Sequence, residues 1–391
     1  MAFRYAVVGA GRQGVAAAYD MARFGNAEEV LLVDVREELA LVGASRVNAL
    51  IGKQIAVPRR GDVRSREDLA RLLDGVDAVL SAVPHRFNLA LTDMAMRGRF
   101  HMCDLGGNTD VTRGQIARSA DAAAAGISIV PDCGMGPGLN ISLAVYAMSL
   151  LDEPEDVYIY DGGLPQNPTP PWNYALTFHI GGLTNEYAGE AAFLRNGHVV
   201  MVPGLSEVEM VEVPSLGSLE AAVTTGGLST MPWTFEGRLR TLENKTLRYP
   251  GHWDQMKAYA QLGLLDLEPV LVGDVQVIPR QVFHALLEPR ITQPDVRDVC
   301  IIYVRCVGLK GGRPAEAVVS LVDHYDEDTG FRAMERLTGW HASIVAILAA
   351  HGHIAKGVIP IELAVPGDVA GAEARSRGFN VQAEVRERGQ P

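Results

Sequence analysis

The run Tyr5-Ala6-Val7-Val8 leads straight into Gly9-Ala10-Gly11-Arg12-Gln13-Gly14 and then into Val15-Ala16-Ala17-Ala18. A short apolar β-prone run, a glycine-rich turn and a helix-forming run, in that order, give G-x-G-x-x-G in the context it requires. Each glycine has a physical task. Gly9 permits the tight turn, Gly11 lets a pyrophosphate approach the backbone, and Gly14 lets helix and strand pack closely. The helix start offers free N–H groups and a partial positive charge to phosphates, with Arg12 and Gln13 on its first turn. A second strand, Glu29 to Val33, ends at Asp34, twenty residues after Gly14. A carboxylate there accepts ribose hydroxyls and repels a 2′-phosphate, so NAD is expected over NADP. Arg36, two residues on, partly offsets that preference.

Strand and helix patterns alternate from here to about residue 130, which predicts a doubly wound parallel sheet of α/β class. Asp62 and Val63 follow the third strand, where such a fold passes the adenine. A fourth strand ends at Ala82-Val83-Pro84, and ligands bind beyond the carboxyl ends of such strands. These three residues are expected to line the path to the nicotinamide ribose. After a sixth strand comes Pro131-Asp132-Cys133-Gly134-Met135-Gly136-Pro137-Gly138, a shaped loop at the same edge of the sheet. Asp132 and Cys133 stand where the reactive end of a dinucleotide is expected.

The net charge is −12, and no basic run stands out. Nucleic acid and anionic membranes are therefore poor partners. No apolar run reaches membrane-spanning length, the start has no signal-peptide layout, and a cytoplasmic location is expected. The four cysteines, Cys103, Cys133, Cys300 and Cys306, have no C-x-x-C spacing and read as buried thiols. No metal site is expected: His351-Gly352-His353 is too small a cluster and no H-E-x-x-H occurs.

From about Asp156 strands predominate, and a second domain of α+β type is expected. Thr241 to Lys257 is its most polar stretch, holding Lys245, Arg248, Tyr249, His252 and Trp253. Cations beside aromatics can grip a carboxylate, and a surface loop with snorkelling cations is the alternative reading. Val299–Val307 and Ala317–Tyr325 read as a hairpin, and Phe331–Ala350 as a long helix. The chain after residue 367 is expected to be a polar, frayed tail.

Five strings fall into one family pattern: Asp132–Leu139, Tyr160–Pro171, Gly182–Tyr187, Lys245–His252 and Ala333–Trp340. Together with the fingerprint they resemble the saccharopine dehydrogenase-like family over residues 1–365, most closely its bacterial lysine 6-dehydrogenase branch. The resemblance implies a Rossmann domain (1–135), an inserted α+β domain for substrate and dimerisation (136–330), and C-terminal helices (331–366) that return to the Rossmann domain. It also implies a homodimer or homotetramer acting on a small amino acid. The implied reaction is NAD-dependent deamination of the ε-amine of L-lysine to allysine, which cyclises, with release of ammonium. Two alternatives stay open: a saccharopine- or carboxynorspermidine-type enzyme acting on an N-substituted amino acid, and an NAD-binding protein without turnover.

Such chemistry needs a neutral amine, and a lysine amine has a reference pKa of about 10.4. A base must help. Asp132 is the first candidate, with His179 and Glu186 on the second domain. The substrate carboxylate needs a cation, Arg248 or Lys245, and Glu186 can take the α-ammonium. Tyr187 and Cys133 complete the expected substrate contacts.

Overall fold

The computed structural model describes residues 2–213 and 215–388. Its first layer set holds β1 (Phe3–Val8), α1 (Arg12–Phe24), β2 (Ala27–Asp34), α2 (Glu37–Ile51), β3 (Ala56–Arg60), α3 (Arg66–Leu72) and β4 (Ala78–Ser81). It continues with α4 (Asn88–Gly98), β5 (His101–Asp104), α5 (Thr109–Ile116), α6 (Ser119–Ala124), β6 (Ser128–Val130) and α7 (Leu139–Ser149). The second set holds β7 (Glu153–Pro165), α8 (Ile180–Glu186), β8 (Glu190–Arg195), β9 (His198–Pro203), β10 (Glu209–Val213), β11 (Gly217–Val223), α9 (Met231–Thr234) and β12 (Thr241–Arg248). Then follow α10 (His252–Gln261), β13 (Val270–Val272), β14 (Val275–Val277), α11 (Pro279–Ile291), β15 (Asp298–Lys310) and β16 (Arg313–His324). The chain closes with α12 (Ala333–Ala350), β17 (Gly357–Val358), α13 (Ile361–Ala364), α14 (Gly367–Ser376) and β18 (Val381–Glu387).

The first sheet is wholly parallel, in the order β17-β6-β5-β4-β1-β2-β3. Its strand order reverses between β1 and β4, where the crevice of a doubly wound fold opens. Tyr5 to Val8 are fully buried, as a strand with helices on both faces must be. The second sheet is mixed, in the order β10-β11-β12-β7-β15-β16-β18, with the β8–β9 hairpin attached to β12. The hairpin read at Val299–Tyr325 is β15–β16, paired from Val299↔His324 to Lys310↔Arg313.

One helix joins the two sheets. The Asp298 carboxylate at the head of β15 accepts the backbone N–H groups of Ala333 (2.7 Å) and Met334 (2.9 Å), capping α12. Further along, a Cβ on Gly339 would stand 2.5 Å from the Gln13 carbonyl and 2.8 Å from the Ala17 nitrogen. Backbone therefore meets backbone, and α12 lies directly on the first turns of α1. Trp340 fills the flank between Tyr19 and Phe379.

The structure rules out one alternative reading and overturns one expectation. The polar stretch Thr241–Lys257 is no surface loop. It forms β12, between β11 and β7, followed by α10. Glu243, Asn244, Lys245, Thr246, Arg248 and His252 are buried, with partners distant in sequence such as Asp161 for Asn244 and Glu209 for Lys245. Nor does the chain from 367 to 388 fray: it folds as α14 and as β18, which pairs with β16. Phe379 is buried against Trp340, and Arg377 donates from Nε to both Asp20 carboxylate oxygens (2.9 Å each) in a dry interface with α1. Residues 389–391 of the expected tail lie outside the described residues. Among the described residues no helix is long and apolar enough to cross a membrane.

Arg377→Ala should destabilise the protein by about 3 kcal/mol or more, because it strands a buried carboxylate without its cation. Denaturant unfolding checks this, and a loss below about 1 kcal/mol would show that the pair does not hold the C-terminal segment down.

Candidate active site

The glycine turn fits a dinucleotide. Gly9 adopts φ 115°, and a Cβ there would lie 2.5 Å from the Ala82 carbonyl. A Cβ on Gly14 would collide with the Gly9 carbonyl. Gly11 is different: no atom lies within 4 Å of where its Cβ would be, so the space in front of α1 is open. Gly11 is also the N-cap and supplies no side chain, which leaves the first N–H groups of α1, from Arg12 onward, available to an anion. Beside the turn is a cavity of about 390 Å3 lined by Gly9, Asp34, Asp62, Val63, Val83 and Pro84 among others. Asp34 is pinned at its rim by N–H groups of Ala10 and Arg36 (2.9 Å each). Asp62 is tied to Arg64 (2.7 Å). The fingerprint residues and the ends of β2, β3 and β4 thus converge on one crevice.

The loop after β6 is held from below. His341 of α12 bonds the Cys133 carbonyl (2.8 Å) and the Ser142 hydroxyl (2.9 Å). Burial pushes His341 down to about 4, so it stays neutral. Asp132 sits at φ 60°, with its N–H on the Asp104 carboxylate (3.2 Å). One carboxylate oxygen of Asp132 accepts from the hydroxyls of Thr112 (2.8 Å) and Ser229. The other is buried where a Cβ on Gly106 would collide with it. Burial, and then the neighbouring Asp104, raise the Asp132 carboxyl. Both oxygens are enclosed, so Asp132 organises the loop and does not face substrate space as expected. Cys133 is likewise fully buried, with its thiol on the Val130 carbonyl (3.3 Å).

A polar cluster lies across the crevice on one face of the second sheet. Asp161 of β7 pairs in register with Thr246 of β12, so Asn244, Thr246 and Arg248 share its face. One oxygen of Asp161 accepts from Asn140 (2.8 Å) and Asn244 (2.9 Å). Burial pushes Asp161 up to about 6. Arg248 is buried among the rings of Tyr174 and Trp253. Its Nη1 is spent on the Leu247 carbonyl (2.9 Å), Nε has no partner, and Nη2 stands 3.8 Å from Glu186. Nε is therefore the unspent donor of a guanidinium whose Nη2 faces Glu186 and which also lies against the Tyr187 hydroxyl. Glu186, at the end of α8, keeps 29% of its side chain exposed, and desolvation pushes it up to about 7 against the pull of Arg248. The loop 224–230 roofs this cluster: Gly227 accepts from Asn140 (3.0 Å), Thr225 donates to the Glu186 carbonyl (2.8 Å), and Ser229 reaches Asp132.

The remaining expected residues separate. Tyr187 is buried beside Arg248, its hydroxyl on His252 (2.9 Å). Lys245 has the opposite strand parity to Arg248 and pairs with Glu209 (2.7 Å) on the other face of the sheet. Strand alternation therefore removes it from the site. His179 is exposed at the start of α8, accepting the Gly181 N–H (3.0 Å), at the far end of that helix from Glu186. Sequence reasoning passed over Asp161, Asn140, Asn244 and Ser229. The one signal was an acid inside an apolar strand running into Gly162-Gly163.

A model of the saccharopine dehydrogenase NADP binding domain matches residues 5–130, and a model of the saccharopine dehydrogenase C-terminal domain matches residues 134–371. The chain belongs to the saccharopine dehydrogenase family. It is an NAD(P)-dependent oxidoreductase of that family, as the resemblance read from its sequence implied. Among solved structures it is similar to the apo saccharopine dehydrogenase (L-Glu forming) of Saccharomyces cerevisiae. The TM-score is 0.78 at 16% identity, over 98% of this chain and 100% of that one. It is also similar to the homospermidine synthase of Legionella pneumophila in complex with NAD. There the TM-score is 0.63 at 11% identity, over 100% of this chain and 94% of that one. These similarities carry the fold, and the family boundary near residue 130 falls at the loop that separates the two halves of the site.

Gly11→Val should leave folding stability within about 1 kcal/mol, because its side chain enters open space, yet raise the Kd for dinucleotide about tenfold or more. Thermal melting and NADH fluorescence titration check the two halves. Unchanged affinity would show that phosphates do not occupy the open turn.

Proposed function

We propose that this oxidoreductase oxidatively deaminates the terminal amine of a basic amino acid, L-lysine, using NAD. One observation carries the reading: a buried arginine, Arg248, whose Nε has no partner, lies beside two carboxyls, Asp161 and Glu186. One cation and two acids complement a molecule with one carboxylate and two amines. In this reading Arg248 binds the α-carboxylate and Glu186 takes the α-ammonium. Other buried arginines are engaged elsewhere: Arg377 on Asp20, Arg332 on backbone carbonyls, Arg280 on Leu265 and Asn185. A saccharopine-type substrate, with three carboxylates, would need more free cations than this face offers.

Asp34 supports NAD over NADP, since its fixed carboxylate stands at the rim of the adenosine-sized cavity and repels a 2′-phosphate. Bound NAD supplies a hydride acceptor. The chain itself binds and orients the amino acid, and the roof loop 224–230 shields the site from water.

Purified protein with NAD should form NADH and release ammonium with L-lysine alone, faster at pH 9.5 than at pH 7. A signal only with saccharopine, or with no amine in a panel of common amino acids, would sink the reading. Arg248→Ala should raise KM for L-lysine about 10- to 100-fold, the worth of a charged hydrogen-bond pair, with a smaller change in kcat. Equal KM in variant and wild type would remove Arg248 from the carboxylate site. Asp34→Ala should raise KM for NAD about tenfold and narrow the gap to NADP. A wild-type enzyme with equal kcat/KM for both dinucleotides would refute the NAD preference.

A further inference from the structure

The roles of the two carboxyls on the cleft face follow from where each is anchored, and the assignment rests on the reading of an amine substrate above. We propose that Asp161 is the catalytic group that takes the proton from the reacting amine, while Glu186 serves only the distal, α-amino end.

Asp161 leans toward the dinucleotide side. A Cβ on Gly136, in the loop after β6, would stand 3.1 Å from Asp161 Oδ2. Asn140, which holds that same oxygen, belongs to α7, the helix that follows the loop. Arg248 lies further along β12, with Glu186 of α8 beside it. Arg248 is two residues beyond Thr246, the partner of Asp161, and two residues of strand span about 6.6 Å. An extended lysine side chain covers a similar distance from α-carbon to ε-nitrogen, about 6 Å for five staggered bonds. The lysine side chain therefore has about the length of the strand offset between the positions that carry Arg248 and Asp161.

The carboxylate is built to be aimed. Two amide groups, Asn140 and Asn244, converge on Oδ2. Oδ1 has no hydrogen-bond partner among the described residues, although Asp161 is only 7% exposed. A Cβ on Gly227 would collide with Asn244, so the roof loop also fixes the amide that fixes Asp161. The charged and titratable groups that face Asp161 are Arg248 from β12, Glu186 from α8 and Cys300 from β15. Burial raises Asp161 and Arg248 opposes the rise, which leaves the carboxylate ionised above about pH 6. In that state it accepts a proton from R-CH2-NH3+, becoming a carboxylic acid and leaving R-CH2-NH2 with a free lone pair. The lone pair forms the C=N bond as the hydride leaves carbon with its electrons. Water adds to C=N and ammonia departs. The balance is R-CH2-NH3+ + NAD+ + H2O → R-CHO + NH4+ + NADH + H+, with the proton held by Asp161 returned to solvent.

The test compares wild type and Asp161→Asn with L-lysine and L-ornithine, with NADH binding and melting temperature as controls. The substitution keeps the shape and an oxygen for both amide donors. We expect kcat to fall about 10²- to 10⁴-fold with NADH affinity unchanged. The wild-type kcat/KM profile should fall on the acid side below about pH 6, and this limb should vanish in the variant. L-ornithine, one methylene shorter, should show at least about tenfold lower kcat/KM than L-lysine in the wild type. A wild type that oxidises an amine, with a variant that keeps its kcat and acid limb, overturns the Asp161 assignment and leaves the deaminase reading standing. Equal use of lysine and ornithine overturns the spacing. If Asp161→Asn loses NADH binding, the wild-type profile decides: no acid limb overturns the proposal. A wild type inactive on every amine overturns both.

Discussion

The structure depends on how closely α12 approaches α1. Gly339 brings the two helices into backbone contact, and any side chain there would meet Gln13 and Ala17. Through that contact one helix fixes three things at once. Its N-terminus is capped by Asp298 of the second sheet. Its middle lies on α1, the helix that opens at the glycine turn. Its His341 holds the loop that follows β6. The crevice between the sheets therefore has a set width, and groups on β7 and β12 face the carboxyl ends of β4, β5 and β6 at a fixed distance. Proximity of this kind is what a bimolecular hydride transfer needs.

Buried polar groups do the rest, and they divide into two kinds. Asp132, Asp104, Thr112, Ser229 and His341 are satisfied by each other or enclosed, and they shape backbone. Arg248 keeps its Nε without a partner, Asp161 takes both of its amide donors on one oxygen, and Glu186 stays partly exposed. Burial raises carboxyls of both kinds, so a raised carboxyl alone does not mark the chemistry. Unspent hydrogen-bonding capacity marks it only together with position: Asp132 Oδ1 also lacks a partner but is walled in by Gly106, whereas Arg248 Nε lies on the face shared with Asp161.

The doubly wound sheet was legible because its signals are local. Strands buried on both faces read as apolar runs, and the turn between β1 and α1 demands glycine at fixed offsets. Asp34 was legible for the same reason. The substrate side was legible only in part: Arg248 and Glu186 were named, Asp161, Asn140 and Asn244 were not. Thr241–Lys257 could be read as a surface loop because its neighbours in sequence offer no partners for Asn244, Lys245 or Arg248. Their partners come from β7, α7, α8 and β10. Strand parity separates Lys245 from Arg248, and parity is visible only once the stretch is known to be a strand. Asp132 was placed on the right loop, but its enclosure by Thr112, Ser229 and Gly106 depends on three distant segments.

By itself the sequence determined the dinucleotide-binding half: its sheet class, its glycine turn between β1 and α1, and the place of Asp34 at the end of β2. Short-range periodicity and backbone geometry impose all of these. Only the tertiary structure decided which polar side chains face the crevice, which are consumed holding it open, and that the last described residues fold back onto α1 and β16. Those outcomes depend on pairing between residues far apart in the chain, where burial makes an unsatisfied charge costly and so selects one arrangement.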